Sequence, residues 1–340
     1  MAKDAHDVLE SELKREIHTE AHNTPSCTFV IQNGSLSNLE SRKDFSNEAL
    51  HLPIGEQHIR KLARGSQNIE RSARDSLLSD FSLKKDPARI FDYAVLSERT
   101  SQFHGAQATL NVWGLPDVGA NQSSSFRVLL ASGDAGPPNT LNVIGAGWHV
   151  FPELYGDHDT HLMAYWSTDG FQSTGCYNLL CKGFVPYYPS KYGLGSKIRP
   201  LSTYDGDQYD ITLKNFKDNT TGDWVLHAGR GADKRVGHWP KSLFTNLAEA
   251  ASFVQFVVQF GAFVSYHPVD RAPPMGSGHF PDDCDKRAAY LKDAFVFNPV
   301  DEADVPSPVV VQSKPDCYRV GGGYRSYARD YIGGPGGCSA

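Results

Sequence analysis

From Asp92 onward, hydrophobic and polar positions alternate in short runs. Ala106–Trp113, Arg127–Ala131, His161–Ser167 and Tyr209–Phe216 are each rich in β-formers, and Gly, Pro, Asn and Asp punctuate them. That pattern predicts an antiparallel sandwich. The longest apolar stretch, Phe253–Tyr266, is interrupted by two glutamines and is too short to span a bilayer, so it predicts a buried strand or helix. Ser242–Ala251 is the main helical candidate of this half. Residues 1–88 have a different texture. Val8, Leu9, Leu13 and Ile17 recur at helical spacing, Cys27–Ile31 reads as a strand ending at an Asn33-Gly34 turn, and Glu70–Phe81 predicts a second helix. The expected organisation is a small mixed extension over 1–88, followed by an all-β domain over 89–340 built from two antiparallel β-sandwich sheets.

Composition changes this picture in two places. Thirty-one glycines and twenty prolines in 340 residues fit many turns and few long helices. The net charge of -6 is mild and no basic stripe is present, which argues against a nucleic-acid partner. A membrane partner is not expected either, since no segment is long and apolar enough to cross as a helix.

Six cysteines leave every pairing open. Cys176 and Cys181 flank a tight loop that a disulfide could close, Cys317 and Cys338 bracket a Gly-rich C-terminus, and Cys27 and Cys284 remain. Asn33, Asn121 and Asn219 head N-x-S/T sequons and are the candidate glycosylation sites. The opening MAKDAHDVLE has no apolar signal core. The expectation is either a cytosolic protein or one whose signal peptide has been removed. Even cysteines with sequons favour the secretory pathway.

Eight ordered blocks carry a resemblance to a known family. They are GAQATLNVW at 105–113, AGW at 146–148, PELYGD at 152–157, YWSTDGFQSTGCYNLLCKGFV at 165–185, QYDI at 208–211, GHWP at 237–240, MGSGHFPDD at 275–283 and GGPGGC at 333–338. Together they resemble the neprosin domain, a family that includes plant prolyl endopeptidases of the glutamic type. The resemblance implies seven-stranded antiparallel sheets, disulfides Cys176–Cys181 and Cys317–Cys338, and an activation-peptide position for residues 1–88.

It also shows a departure. Such peptidases use one glutamate as general base on water, with a partner that polarises the scissile carbonyl. By the family pattern the first glutamate precedes Ala-Gly-Trp, where this chain has Gly145. The second position falls to Gln259 in Phe256-Val-Val-Gln-Phe260. Glycine cannot take a proton, and glutamine hydrogen-bonds without titrating. A peptidase would need a carboxylate from elsewhere, such as Glu153 or Asp157.

The residues therefore suggest a cleft rebuilt for another chemistry. Gly145 makes room, Gln259 keeps a polar handle, and His149 shares a strand face with Gly145 and Gly147. Of Tyr165 and Trp166, one must point inward and offer an aromatic wall. Lys214 puts a charge in a strand where family members are apolar. For each there is a plainer reading: a solvated lysine, a structural histidine, core aromatics.

His158 and His161 have metal-like spacing but no supporting carboxylate or Cys block, so neither a metal nor a cofactor is expected. Gly321-Gly-Gly323 lacks the lysine and helix of a phosphate loop, and no G-x-S-x-G elbow is present. Gly276-Ser-Gly-His279 reads as a turn. The expected function is a non-proteolytic cyclisation or cycloaddition on a hydrophobic small molecule. In overall character the chain is similar to fungal hetero-Diels–Alderases that join tropolone quinone methides to a humulene-type terpene. In that reading Gln259 or His149 hydrogen-bonds a substrate carbonyl, Lys214 stabilises charge, and Tyr165 or Trp166 stacks on the substrate. The alternatives are a glutamic-type peptidase and an inactive pseudopeptidase or binding module.

Overall fold

Strand alternation closes into two sheets. The computed structural model describes residues 89–100, 103–133, 137–248, 256–283, 285–322 and 329–339. The helices and strand expected within 1–88, together with Asn33, Cys27 and Cys284, lie outside the described residues. One sheet has seven strands, in the order β14 (Val309–Gln312), β1 (Ile90–Thr100), β11 (Phe256–Tyr266), β3 (Ser123–Ser132), β4 (Asn142–Val150), β5 (His161–Ser167) and β6 (Cys176–Tyr177). The other runs β15 (Arg319–Gly322), β16 (Asp330–Gly333), β12 (Tyr290–Phe297), β2 (Gly105–Asn111), β8 (Asp210–Lys217), β9 (Trp224–Gly229), β10 (Lys234–Trp239) and β7 (Val185–Pro186), with β13 (Ala303–Asp304) on β12. The second sheet thus has nine strands where the resemblance implied seven. Its additions are the short strands β7 and β13, each of two residues.

The sandwich core follows from strand parity. Ala94 and Leu96 of β1, Phe126, Val128 and Leu130 of β3, and Ile144, Ala146, Trp148 and Val150 of β4 face Ala106, Ala108, Leu110, Ile211, Leu213, Trp224 and Leu226 of the other sheet. The seven-stranded sheet is also apolar on its outer face. There Leu129, Ala131, Val143, Met163, Tyr165, Tyr177 and Val257 form a second buried cluster. Burial on both faces explains the apolar run of Phe256–Tyr266, the described part of Phe253–Tyr266, which is strand β11.

The helix expected over Ser242–Ala251 does not form across its described part. Lys241–Leu243 is a 3-10 turn, and turn residues continue to Ala248. Side chains take the backbone groups that a helix would use. Asn142 Oδ1 accepts from the Thr245 and Leu247 N–H groups, while Lys217 Nζ and Trp224 Nε1 donate to the Leu247 carbonyl.

Both expected disulfides, Cys176–Cys181 and Cys317–Cys338, are formed. The second ties the C-terminal tail to the start of β15 across 21 residues. Replacing Cys317 and Cys338 together by alanine should cost about 2–4 kcal/mol, mostly by freeing the unfolded chain. Denaturant midpoints at constant slope measure this; an unchanged midpoint would show that the bridge contributes nothing.

Candidate functional site

Register fixes which residues share the outer face of the seven-stranded sheet. One cross-strand row reads Ser97, Gln259, Leu129, Gly145, Tyr165 and Tyr177. The next reads Val95, Gly261, Arg127, Gly147 and Met163, and a third Tyr93, Phe263, Ser125, His149 and His161. Neighbouring strands lie about 4.8 Å apart, so Gly145 and Gln259, two strands apart, are separated by roughly 10 Å. Gly145 and Gln259 therefore face the same side in one row. No residue of these three rows is Asp or Glu.

Gly145 does not open space, as the sequence suggested. A Cβ there would lie 2.4 Å from Tyr165 Cε1 and Cζ and 2.5 Å from its Oη. The ring of Tyr165, from the adjacent strand, fills the place of the missing side chain. Tyr165 is only 2% exposed and packs beside Tyr177 and Phe171.

Arg127 was not singled out from the sequence. Its guanidinium lies 3.7 Å from the Phe263 ring centroid and 5.0 Å from that of Tyr165, and the residue is 1% exposed. Desolvated stacking of this kind strengthens a cation–π contact. Gly147 beside it is needed for close approach, since a Cβ would meet Phe126 O at 2.1 Å. The available signal was a lone arginine inside the otherwise apolar and small-residue strand SSSFRVLLAS.

Gln259 is 2% exposed, and its Oε1 is buried without a hydrogen-bond partner. Such an acceptor costs about 1–3 kcal/mol when nothing donates to it.

His149 belongs to a positioning network. Asn178 Nδ2 donates to Tyr155 Oη at 2.7 Å, so the phenol O–H is directed to His149 Nε2, also at 2.7 Å. Burial pushes the Tyr155 phenol well above its ordinary value and keeps it a donor. Tyr155 ends α1 (Pro152–Tyr155), which starts with Pro152 and closes on Gly156 in the left-handed region. The Tyr155 ring stacks on His161 at 3.7 Å. His161 Nδ1 lies 2.7 Å from the Gly195 carbonyl oxygen and its Nε2 lies 2.8 Å from Asp157 Oδ1. Both of its nitrogens are thus occupied by protein acceptors, and His158 is exposed.

The carboxylates nearest in sequence are engaged elsewhere. Glu153 pairs with Arg89 at 3.1 Å, and Asp157 with His161 at 2.8 Å and Lys197 at 2.9 Å. Burial alone would raise the Asp157 carboxyl, but the hydrogen bonds from His161 and Lys197 hold it well below the usual carboxylate range.

Two predicted site residues are elsewhere. Trp166 has the opposite parity to Tyr165. It packs in the core between the sheets, with its indole against Gly183. Lys214 belongs to β8 of the other sheet, between Phe216 and Phe297, and does not reach the Gly145 row. Of the candidate sequons, Asn121 and Asn219 are exposed.

An antiparallel sandwich with a densely packed aromatic and cationic outer face, and no carboxylate in its central rows, is the class that fold and site define. The neprosin family model matches residues 120–335, and the chain belongs to that family. Among solved structures, scytalido-glutamic peptidase bound to a peptide-based transition-state analogue is similar at 11% identity. That match covers 72% of this chain and 97% of that one, with a TM-score of 0.36. SCP-B, a member of the eqolisin family of peptidases in complex with the tripeptide Ala-Ile-His, is similar at 10% identity, with 72% and 96% covered and a TM-score of 0.36. The alginate lyase Aly36B is similar at 7% identity, with 52% and 79% covered and a TM-score of 0.23.

Proposed function

We propose that this neprosin-family protein is a non-proteolytic enzyme that promotes a cyclisation or cycloaddition, of hetero-Diels–Alder type, on a hydrophobic small molecule. The observation that carries the reading is the outer-face constellation of Gln259, Arg127 and Tyr165, set among apolar side chains with no carboxylate in the same rows. Such a reaction needs no cofactor. Two partners form bonds in one concerted step with no atom lost, and the protein's task is orientation and exclusion of water. A cationic guanidinium and a phenol suit a carbonyl oxygen that gains negative charge as the heterodiene reacts. Gln259 Oε1 suits a hydroxyl donor of the substrate.

The two disulfides are compatible with a secreted protein, and we place the protein in the secretory pathway. A peptidase reading would need Glu153 or Asp157 to leave its present ion pair. A binding module would hold the same ligand without turning it over.

The test combines calorimetry with product analysis, using a humulene-type terpene and a tropolone quinone-methide precursor. The wild type is expected to bind the precursor and accelerate adduct formation. Gln259→Ala should weaken binding by up to about tenfold, the worth of one hydrogen bond of about 0.5–1.5 kcal/mol. Binding without acceleration would leave the binding module. Equal binding and turnover in wild type and Gln259→Ala would place the site elsewhere.

A further inference from the structure

The outer face of the nine-stranded sheet holds a second constellation, which the proposed reaction does not use. Lys214 of β8 lies opposite Gln107 of β2 and His227 of β9, and His227 in turn lies opposite Arg235 of β10. In the adjacent row Gly105 separates Phe216 from Phe297. A Cβ at Gly105 would sit 2.8 Å from Phe216 Cβ, so the glycine keeps the strands' side chains close. Lys214 Nζ occupies the gap, 3.9 Å from the Phe297 ring centroid and 4.8 Å from that of Phe216. Among the described residues it makes no hydrogen bond or ion pair.

His227 is oriented for use. Its Nδ1 faces the Ala232 carbonyl at 3.1 Å, and a carbonyl can only accept. The proton therefore sits on Nδ1, and Nε2 carries the lone pair. The His227 ring meets Phe216 edge-on at 5.1 Å. The charged group acting on Lys214 is Asp301, from the turn after β12; it favours the ammonium but is outweighed by burial, and its carboxylate accepts from Asn219 at 3.1 Å.

We propose that Lys214 is a nucleophilic amine that forms a reversible imine with a hydrophobic, preferentially aromatic, aldehyde or ketone. A lysine desolvated by apolar walls is activated in this way, and the Phe216 and Phe297 rings are those walls. The Phe216 and Phe297 rings supply flat surfaces for an aromatic ligand. The uncharged Nζ adds its lone pair to the carbonyl carbon, and the carbonyl π pair moves to oxygen. The nitrogen gives up a proton and the oxygen takes one, with His227 Nε2 as relay. The carbinolamine then loses its hydroxyl as water. Amine and carbonyl become imine and water, with no oxidant or reductant. Burial lowers the Lys214 pKa and that of His227, which shifts both toward the uncharged forms this step uses.

The test is reductive trapping with 4-methylbenzaldehyde and sodium cyanoborohydride at neutral pH, with peptide mapping of every lysine over time. Lys214 should be labelled severalfold faster than the exposed Lys182 and Lys286, because burial between the rings disfavours its charged form. Phe297→Leu should bring Lys214 down to the rate of the exposed lysines. His227→Gln should slow it severalfold while Lys182 stays unchanged. Labelling of wild-type Lys214 no faster than Lys182 would overturn the proposal outright, and equal rates in all three proteins would remove the aromatic box and the histidine from it. Because the readout is a mass adduct on one lysine, it stands apart from the reaction proposed for the other sheet.

Discussion

Purified protein incubated with proline-containing peptides at acidic pH is expected to leave them intact. A glutamic peptidase needs a carboxylate to draw a proton from water and a second group to polarise the carbonyl. Removing the general base alone costs a factor of about 10²–10⁴ in that step. Gly145 offers no side chain, and Gln259 offers an amide that does not titrate. The register closes the remaining routes. The three central rows of this face hold no Asp or Glu, and the nearest carboxylates, Glu153 and Asp157, are paired with Arg89 and with His161 and Lys197. Introducing glutamates at both positions should not create activity either, because the Tyr165 ring lies over Gly145. Mass-spectrometric time courses on a proline-rich peptide check this. Cleavage after proline that disappears in Gln259→Ala would overturn the non-proteolytic reading.

Much of this arrangement follows from local pattern, and the remainder depends on pairings between distant strands. Alternation in Ala106–Trp113 and His161–Ser167 predicts strands because each strand has one face on the core between the sheets. That His149 shares a face with Gly145 needs only parity along one strand. That Gln259 joins the same row needs the pairings of β11 with β3 and β3 with β4, which span more than a hundred residues of chain. The choice between Tyr165 and Trp166 is likewise settled by which residue falls opposite Gly145.

Lys214 was misplaced for the same reason: a charge in a strand reports exposure or function, not which sheet the strand joins. Arg127 escaped notice because a single arginine among apolar and small residues usually marks an exposed position. Apolar side chains on the outer face bury it, with Phe263 on one contact and Tyr165 on the other. Over its described part, 242–248, the helix predicted for Ser242–Ala251 gives way to bonds from side chains that are distant in sequence, Asn142 and Lys217.

Gly145 and Tyr165 form one packing unit, and substitution at Gly145 should show it. Gly145→Ala places a methyl group 2.4 Å from the Tyr165 ring, where real Cβ contacts are essentially never found. The ring is confined by Arg127 at 5.0 Å, Tyr177 at 5.9 Å and Phe171 at 6.4 Å. Overpacking of this kind costs about 1–3 kcal/mol. Gly145→Glu adds a buried carboxylate, whose desolvation only a well-made ion pair offsets. Arg127 is the one cation in the three central rows, and it is stacked on Phe263. The expected loss for Gly145→Glu is therefore larger, about 3–5 kcal/mol, at the upper end for a single substitution. It should be accompanied by loss of ligand binding on this face.

A double-mutant cycle separates the steric effect from a general weakness of β4. Tyr165→Leu removes the ring that the new methyl strikes. Gly145→Ala should then cost less in the Tyr165→Leu background than in wild type, by about 0.5–3 kcal/mol of coupling. Denaturant unfolding of the four proteins measures this. If Gly145→Ala is neutral in wild type, or if the two changes simply add, Tyr165 does not occupy the place of the missing side chain, and Gly145 must be explained by another neighbour.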